Sequence, residues 1–360
     1  MSISKLVNYK EICKNIINVF EGVVDLKNTS FLKNDNLFYE MLRHIRKIQD
    51  KPFISLNNLS IEDISFFMQI LLDAFSICAA TGSKGDDLCN FKLNNLNLLG
   101  SLKERRGKLL KSIDNQKIKD WLSCILLQGW INSNKEYPNL NISDLEHDKR
   151  FKNSKKCDFK VNFNNGNFEL IECKRIHPEK GEASFSEMIC KVVDIIEYAV
   201  EQIKDTEKIL AVRSVCRTIF LNVASYNNNF LNIDKNIKMT GFNEQEIIET
   251  GKNIFVSLKN DGINSKVDRI ILTWKNIIFF DDIPVALIQN CYPIIVKPAI
   301  LNPIDYKGWT IGLYTSNAIF KSIRVSSTAR TLAWIKATCF SLNDQLLTYG
   351  KEETRKKGND

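Results

Sequence analysis

Zinc chemistry, nucleotide-driven chemistry and membrane insertion all lack their sequence signatures in this chain. The ten cysteines, at 13, 78, 89, 124, 157, 173, 190, 216, 291 and 339, include no CxxC pair and no cysteine–histidine pair at zinc spacing, and there are three histidines in all. That pattern excludes the zinc-finger and zinc-ribbon classes. Most of the cysteines lie in apolar surroundings, so reduced, buried thiols are expected. No Walker loop, no dinucleotide-type glycine pattern, no GxSxG and no internal repeat is present, which argues against ATP-driven, nucleotide-cofactor, hydrolase-elbow and solenoid readings. A signal peptide and an apolar run of about 18 residues are also missing from the pattern, so a cytoplasmic chain without a membrane segment is expected.

What is present is charge and amphipathic helix. The 360 residues carry 50 Lys and Arg against 42 Asp and Glu, a net charge of +8, which favours a polyanionic partner. This length accommodates two domains. Residues 1–115 read as an N-terminal helical domain, with amphipathic stretches at Leu6 to Phe20, Asn36 to Ile48 and Ile61 to Ala80 and no strand signal between them. Residues 116–347 read as an α/β domain, and 348–360 as a charged tail. Basic residues cluster at Lys103 to Lys108, at Lys149, Arg150, Lys152, Lys155 and Lys156, and at Arg324 and Arg330.

The chemistry concentrates in one hairpin. Lys155 to Val161 is followed by the turn sequence Asn164-Asn165-Gly166 and then by Phe168-Glu169-Leu170-Ile171-Glu172-Cys173-Lys174-Arg175. Side chains alternate along a strand, so Glu172 and Lys174 share a face, opposite that of Ile171, Cys173 and Arg175. A three-residue loop with Gly166 in the left-handed region pairs Phe163 with Asn167 and sets Asp158 against Glu172, with Cβ atoms about 5 Å apart. A two-residue loop, Asn165-Gly166, would instead pair Asp158 with Cys173 and separate the acids. Two carboxylates that close, with no histidine in reach by sequence, suit a hard divalent cation. A solvated surface hairpin with paired charges is the alternative, opposed by the apolar run Phe168, Leu170, Ile171 leading into Glu172.

Asp158 together with Glu172-Cys173-Lys174 resembles the PD-(D/E)xK phosphodiesterase superfamily, the fold of many restriction endonucleases, resolvases and repair nucleases. Cys157 stands where a proline often precedes the Asp. The resemblance implies a restriction-endonuclease-like core, a central mixed sheet flanked by helices. It implies Mg²⁺ or Mn²⁺ held by Asp158, Glu172 and the Cys173 carbonyl, and Lys174 positioning or activating the attacking water. It further implies a DNA endonuclease of restriction or defence type. RNA is an alternative substrate, double-strand cutting would call for a homodimer, and the rival class is a catalytically inactive nuclease fold that binds nucleic acid or assembles. The basic group from Lys149 to Lys156 would lead the nucleic acid toward the metal.

Elements around the hairpin fit that order. Ser184 to Lys204 reads as a helix whose second stripe carries Lys191, Ile195, Tyr198 and Gln202. Lys191 and Gln202 are candidates to touch the phosphate or the lysine, an ordinary solvated stripe being the alternative. Strands are expected at Arg217 to Ser225 and Val267 to Trp274, with a helix at Asn243 to Leu258 between them. Val285 to Val296 is expected to add an edge hairpin, Pro293 and Pro298 arguing for an edge or irregular position, and Ser326 to Leu347 a last helix. Upstream, Asn115 to Trp130 is the helix before the first strand, with Asp120 as a possible-ligand carboxylate. Glu146, in the strand-like Asn141 to His147, is its rival. His177 follows the motif in a loop.

Overall fold

The computed structural model describes residues 9–24, 36–49, 60–99, 115–133, 141–145, 149–151, 156–176, 189–223, 230–235, 237–240, 244–280, 283–297, 306, 308–314 and 317–323. The final helix, the charged tail, the basic run Lys103 to Lys108, Arg324, Arg330 and His177 lie outside these residues. The first helices are α1 (Tyr9–Val24), α2 (Leu37–Gln49), α3 (Ile61–Ala80) and the single turn α4 (Asp86–Cys89). α5 (Asn115–Ser133) then leads into strands β1 (Asn141–Asp144), β2 (Phe159–Asn162) and β3 (Phe168–Ile176). Next come α6 (Ile189–Leu210), β4 (Cys216–Val223), β5 (Phe230–Asp234), β6 (Ile237–Thr240) and α7 (Glu244–Asn260). Four strands close the described chain: β7 (Arg269–Phe280), β8 (Ile283–Ile295), β9 (Gly308–Tyr314) and β10 (Asn317–Ile323).

These strands form one mixed sheet in the order β1-β2-β3-β4-β7-β8-β9-β10, with the β5–β6 hairpin attached to the far half of β7. β1, β2 and β3 are antiparallel, β3, β4 and β7 run parallel, and β7 to β10 are antiparallel again. The parallel centre is buried on both faces, which is why β4 and β7 read as unbroken apolar runs such as Ile219-Phe220-Leu221 and Ile270-Ile271-Leu272. Even-numbered positions of β3 (Phe168, Leu170, Ile176) pack with Ile219, Leu221 and the apolar stripes of α6 and α7. Odd-numbered Ile171 and Cys173 pack with Phe220, Ile271 and helices α1, α2, α3 and α5. The helices on both sides of residue 115 therefore share one core with the sheet.

Two expectations change. α3 does have the length and composition of a membrane span, yet 78% of that window is buried inside the protein. Ser60 caps it by accepting from Asp63 N at 3.0 Å. Its small residues admit α5 so closely that a Cβ on Gly129 would lie 2.8 Å from the Ser76 carbonyl oxygen. Val285 to Ile295 lies within β8, an interior strand where Ala286 to Gln289 pair with β9 while the other side pairs with β7. Pro293 is tolerated because it lies beyond the β9 pairing, where among the described residues only β7, through Ile271, is beside it.

A buried polar chain links α3 to the sheet. Gln69 Nε2 donates to Asp73 Oδ1 at 2.9 Å, and Lys275 Nζ donates to Gln69 Oε1 at 2.8 Å. Burial pushes the Asp73 carboxyl up to about 7 against the opposing pull of Gln69, Arg175 and Lys275, and burial lowers Lys275 to about 8. Asp73 thus keeps its proton in the folded chain at pH values where the unfolded chain has lost it. Its favourable contribution is complete below about pH 4, and is lost as pH rises toward 7. Asp73→Asn is expected to raise stability by about 1–3 kcal/mol at pH 8 and by little at pH 4. Urea melts of both proteins at the two pH values check it, and an equal difference at both would remove the ionisation argument.

Candidate functional site

The hairpin turn sets the site. Gly166 has φ 81°, Phe163 N donates to Asn167 O at 2.8 Å, and Asn165 Oδ1 accepts from Asn167 N at 3.1 Å. This is the three-residue loop, with glycine at the position that requires left-handed backbone. The ladder then pairs Phe159 with Ile171, and one step further brings Asp158 against Glu172. β2 begins just after Asp158, so the acid stands at the mouth of the ladder and not inside it.

Five side chains converge there. Lys174 Nζ donates to Glu172 Oε1 at 2.5 Å and to Gln202 Oε1, on α6, at 2.6 Å. It also lies 5.0 Å from the centre of the Tyr198 ring. Gln202 Nε2 in turn donates to the Lys156 carbonyl at 3.1 Å. Asp158 Oδ2 accepts from Cys173 N at 2.8 Å. In a strand the N–H and C=O of one residue point to the same edge, so the Cys173 carbonyl also faces the gap where β2 ends. Glu172 is 1% exposed, and its Oε2 is buried without a hydrogen-bond partner. The sequence stripe containing Tyr198 and Gln202 is thus divided: its last two members meet Lys174, while Lys191 stands about 16 Å back along the helix.

Electrostatics follow from that burial. Desolvation pushes Glu172 well above the ordinary carboxylate range, with the Asp158 charge adding and Lys174 opposing. Burial alone would lower Lys174, but Glu172 and Asp158 outweigh it and the ammonium is held above its ordinary value. The orphaned Glu172 Oε2, the Asp158 carboxylate and the Cys173 carbonyl suit a hard cation, which would reverse the sign of this local field. They are two acids and a carbonyl: among the described residues no group of three or more His, Cys, Asp or Glu side chains could hold a metal.

The remaining candidates scatter. Asp120 is exposed on α5 and accepts from Gln116 at 2.9 Å. α5 packs on the opposite face of β3, where Arg175 donates to the Lys119 carbonyl at 3.3 Å, so Asp120 is not brought to Glu172. Glu146, His147, Lys152 and Lys155 lie outside the described residues. Lys149 and Arg150 begin a short 3₁₀ turn, Arg150 exposed, and Lys156 is half-buried. A groove of about 460 Å³ runs along α6 beside Tyr198, lined by Asp194, Glu197, Glu201 and Lys266. Its three carboxylates disfavour a polyanion in that groove.

Thr206 was not visible to sequence reasoning. It is fully buried, accepts from Cys157 N at 2.8 Å and donates to the Gln202 carbonyl at 2.8 Å, so it ties α6 to the segment that delivers Asp158. The one available signal was its spacing of four from Gln202.

No family model matches the chain, and no curated protein matches it. Among solved structures, the central domain of yeast acetyl-CoA carboxylase matches with a TM-score of 0.23 and 10% identity, over 53% of this chain and 25% of that one. A likeness that low carries no argument about fold family or activity.

Proposed function

We propose that the chain is a metal-dependent nuclease of PD-(D/E)xK type that hydrolyses phosphodiester bonds, with DNA as its substrate. The observation that carries this reading is the convergence of Asp158, Glu172 and Lys174 at the open end of the β2–β3 ladder, with a buried Glu172 oxygen left without a partner. The order of elements supports it: helix α5, the antiparallel strands β1 to β3, helix α6 on the site's face, then β4 parallel to β3. Asp158, Glu172 and the Cys173 carbonyl would hold Mg²⁺ or Mn²⁺. Bound there, the cation lowers the pKa of its water and offsets charge on the phosphate. Lys174 holds a fixed positive charge beside it, and Gln202 fixes the direction of that charge. Arg150 and Lys156 supply contacts to a phosphate backbone that give affinity without reading sequence.

A second reading, a nuclease fold that binds or assembles without turnover, is favoured by one feature. Lys174 is already satisfied by Glu172 and Gln202, and Asp158 by the Cys173 N–H. The experiment is a digest of plasmid DNA and of RNA, side by side, with Mg²⁺, Mn²⁺ or EDTA. Metal-dependent cutting of DNA is expected, with EDTA stopping it. Asp158→Asn, which keeps an acceptor for Cys173 N, is expected to abolish cutting while circular dichroism stays unchanged. Undiminished cutting by that variant would sink the mechanism. No cutting with either metal, with retained DNA retardation on a gel, would favour the binding reading.

A further inference from the structure

Of the two acids in the site, Glu172 lies inside β3, whereas Asp158 stands just outside β2. Ladder pairing between β2 and β3 starts at Phe159, one residue too late to hold it. Its carbonyl accepts from Leu145 N at 3.3 Å, and its Oδ2 accepts from Cys173 N at 2.8 Å. The two residues before it are held by α6. Gln202 Nε2 donates to the Lys156 carbonyl at 3.1 Å, and one turn further along the helix Thr206 Oγ1 accepts from Cys157 N at 2.8 Å. Thr206 and Cys157 are both buried, and the Cys157 side chain packs in the core that α6 covers.

We propose that Thr206 is a positioning residue of this site: its hydroxyl fixes Cys157 and thereby aims the Asp158 carboxylate at the divalent cation. The inference rests on the nuclease reading. The proton of the hydroxyl is committed, because Thr206 Oγ1 donates to the Gln202 carbonyl at 2.8 Å, four residues back in α6. Such a bond selects the rotamer of a helical threonine and leaves its lone pairs to accept, here from the Cys157 N–H. One oxygen therefore joins the helix backbone to the segment that ends in Asp158. Removal of the hydroxyl leaves the Cys157 N–H buried and without this acceptor, which costs the desolvation of that group as well as the bond. The segment then shifts to find another partner, and Asp158 is the next residue along it. Gln202 acts differently, since its side-chain oxygen holds Lys174 while its nitrogen holds the Lys156 carbonyl. Loss of the Thr206 hydroxyl is thus expected to fall on cation binding, to which Asp158 contributes, and not first on Lys174.

Thr206→Val keeps the shape of the side chain and removes the hydroxyl, while Thr206→Ser keeps the hydroxyl. Binding of Mn²⁺ to the full chain is read by electron paramagnetic resonance, and amide hydrogen exchange of the Lys156 to Phe159 segment by mass spectrometry without metal. Thr206→Val is expected to bind Mn²⁺ about 10–100-fold more weakly, the usual effect of removing a group that orients a metal ligand, and to exchange faster in that segment. Thr206→Ser is expected to restore both. Wild-type Mn²⁺ affinity in a folded Thr206→Val overturns the proposal whatever the variant's stability, because a merely structural hydroxyl shifts the unfolding midpoint and leaves cation binding alone. Equal weakening in Thr206→Ser also overturns it, by assigning the effect to the methyl group. Should Thr206→Val not fold, Thr206→Ala is measured in its place, and the same outcomes decide. A wild type that binds no Mn²⁺ overturns the nuclease reading and the metal role of Thr206 together, whereas binding by the wild type with no loss in the variant overturns the role of Thr206 by itself.

Discussion

Lys174→Met is expected to lower metal-dependent cutting by about 10²–10³-fold, the usual effect of deleting one preorganised charge from a transition-state site, while the chain still folds. The argument is local. Lys174 Nζ sits 2.5 Å from Glu172 Oε1 and 2.6 Å from Gln202 Oε1, at a point where β4, through Leu221, pairs with the strand. Its side chain is 22% exposed and that of Glu172 is 2% exposed, so the ammonium works at the boundary between water and a low-dielectric interior. Methionine keeps an unbranched apolar stem of similar length and removes the charge. Glu172 then loses a partner that favours its ionised form, so it holds its proton more firmly and binds a cation less readily. A Mg²⁺ titration of cutting rate separates the two consequences. The expected result is a lower plateau together with a higher half-saturating Mg²⁺ concentration. A wild-type plateau reached only at higher Mg²⁺ would reduce Lys174 to a tuner of metal affinity.

The hairpin was legible because everything that determines it is near in sequence. A glycine three residues into an asparagine-rich turn fixes the loop, the loop fixes the register, and alternation fixes which side chains share a face. Gln202 was legible for the same reason, standing in a helical stripe with Tyr198. β8 was misplaced because its neighbour β9 pairs Ala286 with Gly312 across a segment that gives no pairing signal, and Pro293 drew attention to the half of the strand that β9 does not reach. Asp120 stood on the expected helix, but α5 lies on the far face of β3, and helical periodicity alone does not say which side of a sheet a helix will cover. α3 carries enough apolar residues to suggest a membrane span, and the core it enters is built from both ends of the chain. Residues linked over long separations, Gln69 with Lys275 or Glu169 with Arg269, leave no local trace.

Arg269→Met is expected to destabilise the fold by about 3–5 kcal/mol, because it leaves a buried carboxylate without its cation. Glu169 on β3, Thr218 on β4 and Arg269 on β7 lie across three parallel strands. Arg269 Nη2 donates to Glu169 Oε1 at 2.6 Å, and Thr218 Oγ1 donates to the same oxygen. Glu169 is 0% and Arg269 5% exposed, and the guanidinium lies 4.9 Å from the centre of the Tyr306 ring. Burial alone would lower Arg269, yet Glu169 and Tyr306 hold it above its ordinary value. Methionine fills much the same volume, so the loss measures the orphaned charge and not a cavity. The double variant Glu169→Met with Arg269→Met tests this reading, since replacing both partners by apolar groups of similar size is often neutral or stabilising. Denaturant midpoints close to wild type for the double variant and far below it for the single one are expected. Equal losses in both would mean that the pair is needed for packing across β3, β4 and β7. Glu169 stands three residues before Glu172 on the same strand, so the pair anchors the strand that carries the acid and the lysine. Its loss is therefore expected to reduce cutting only near the unfolding midpoint, unlike the loss of Lys174, which acts at every denaturant concentration.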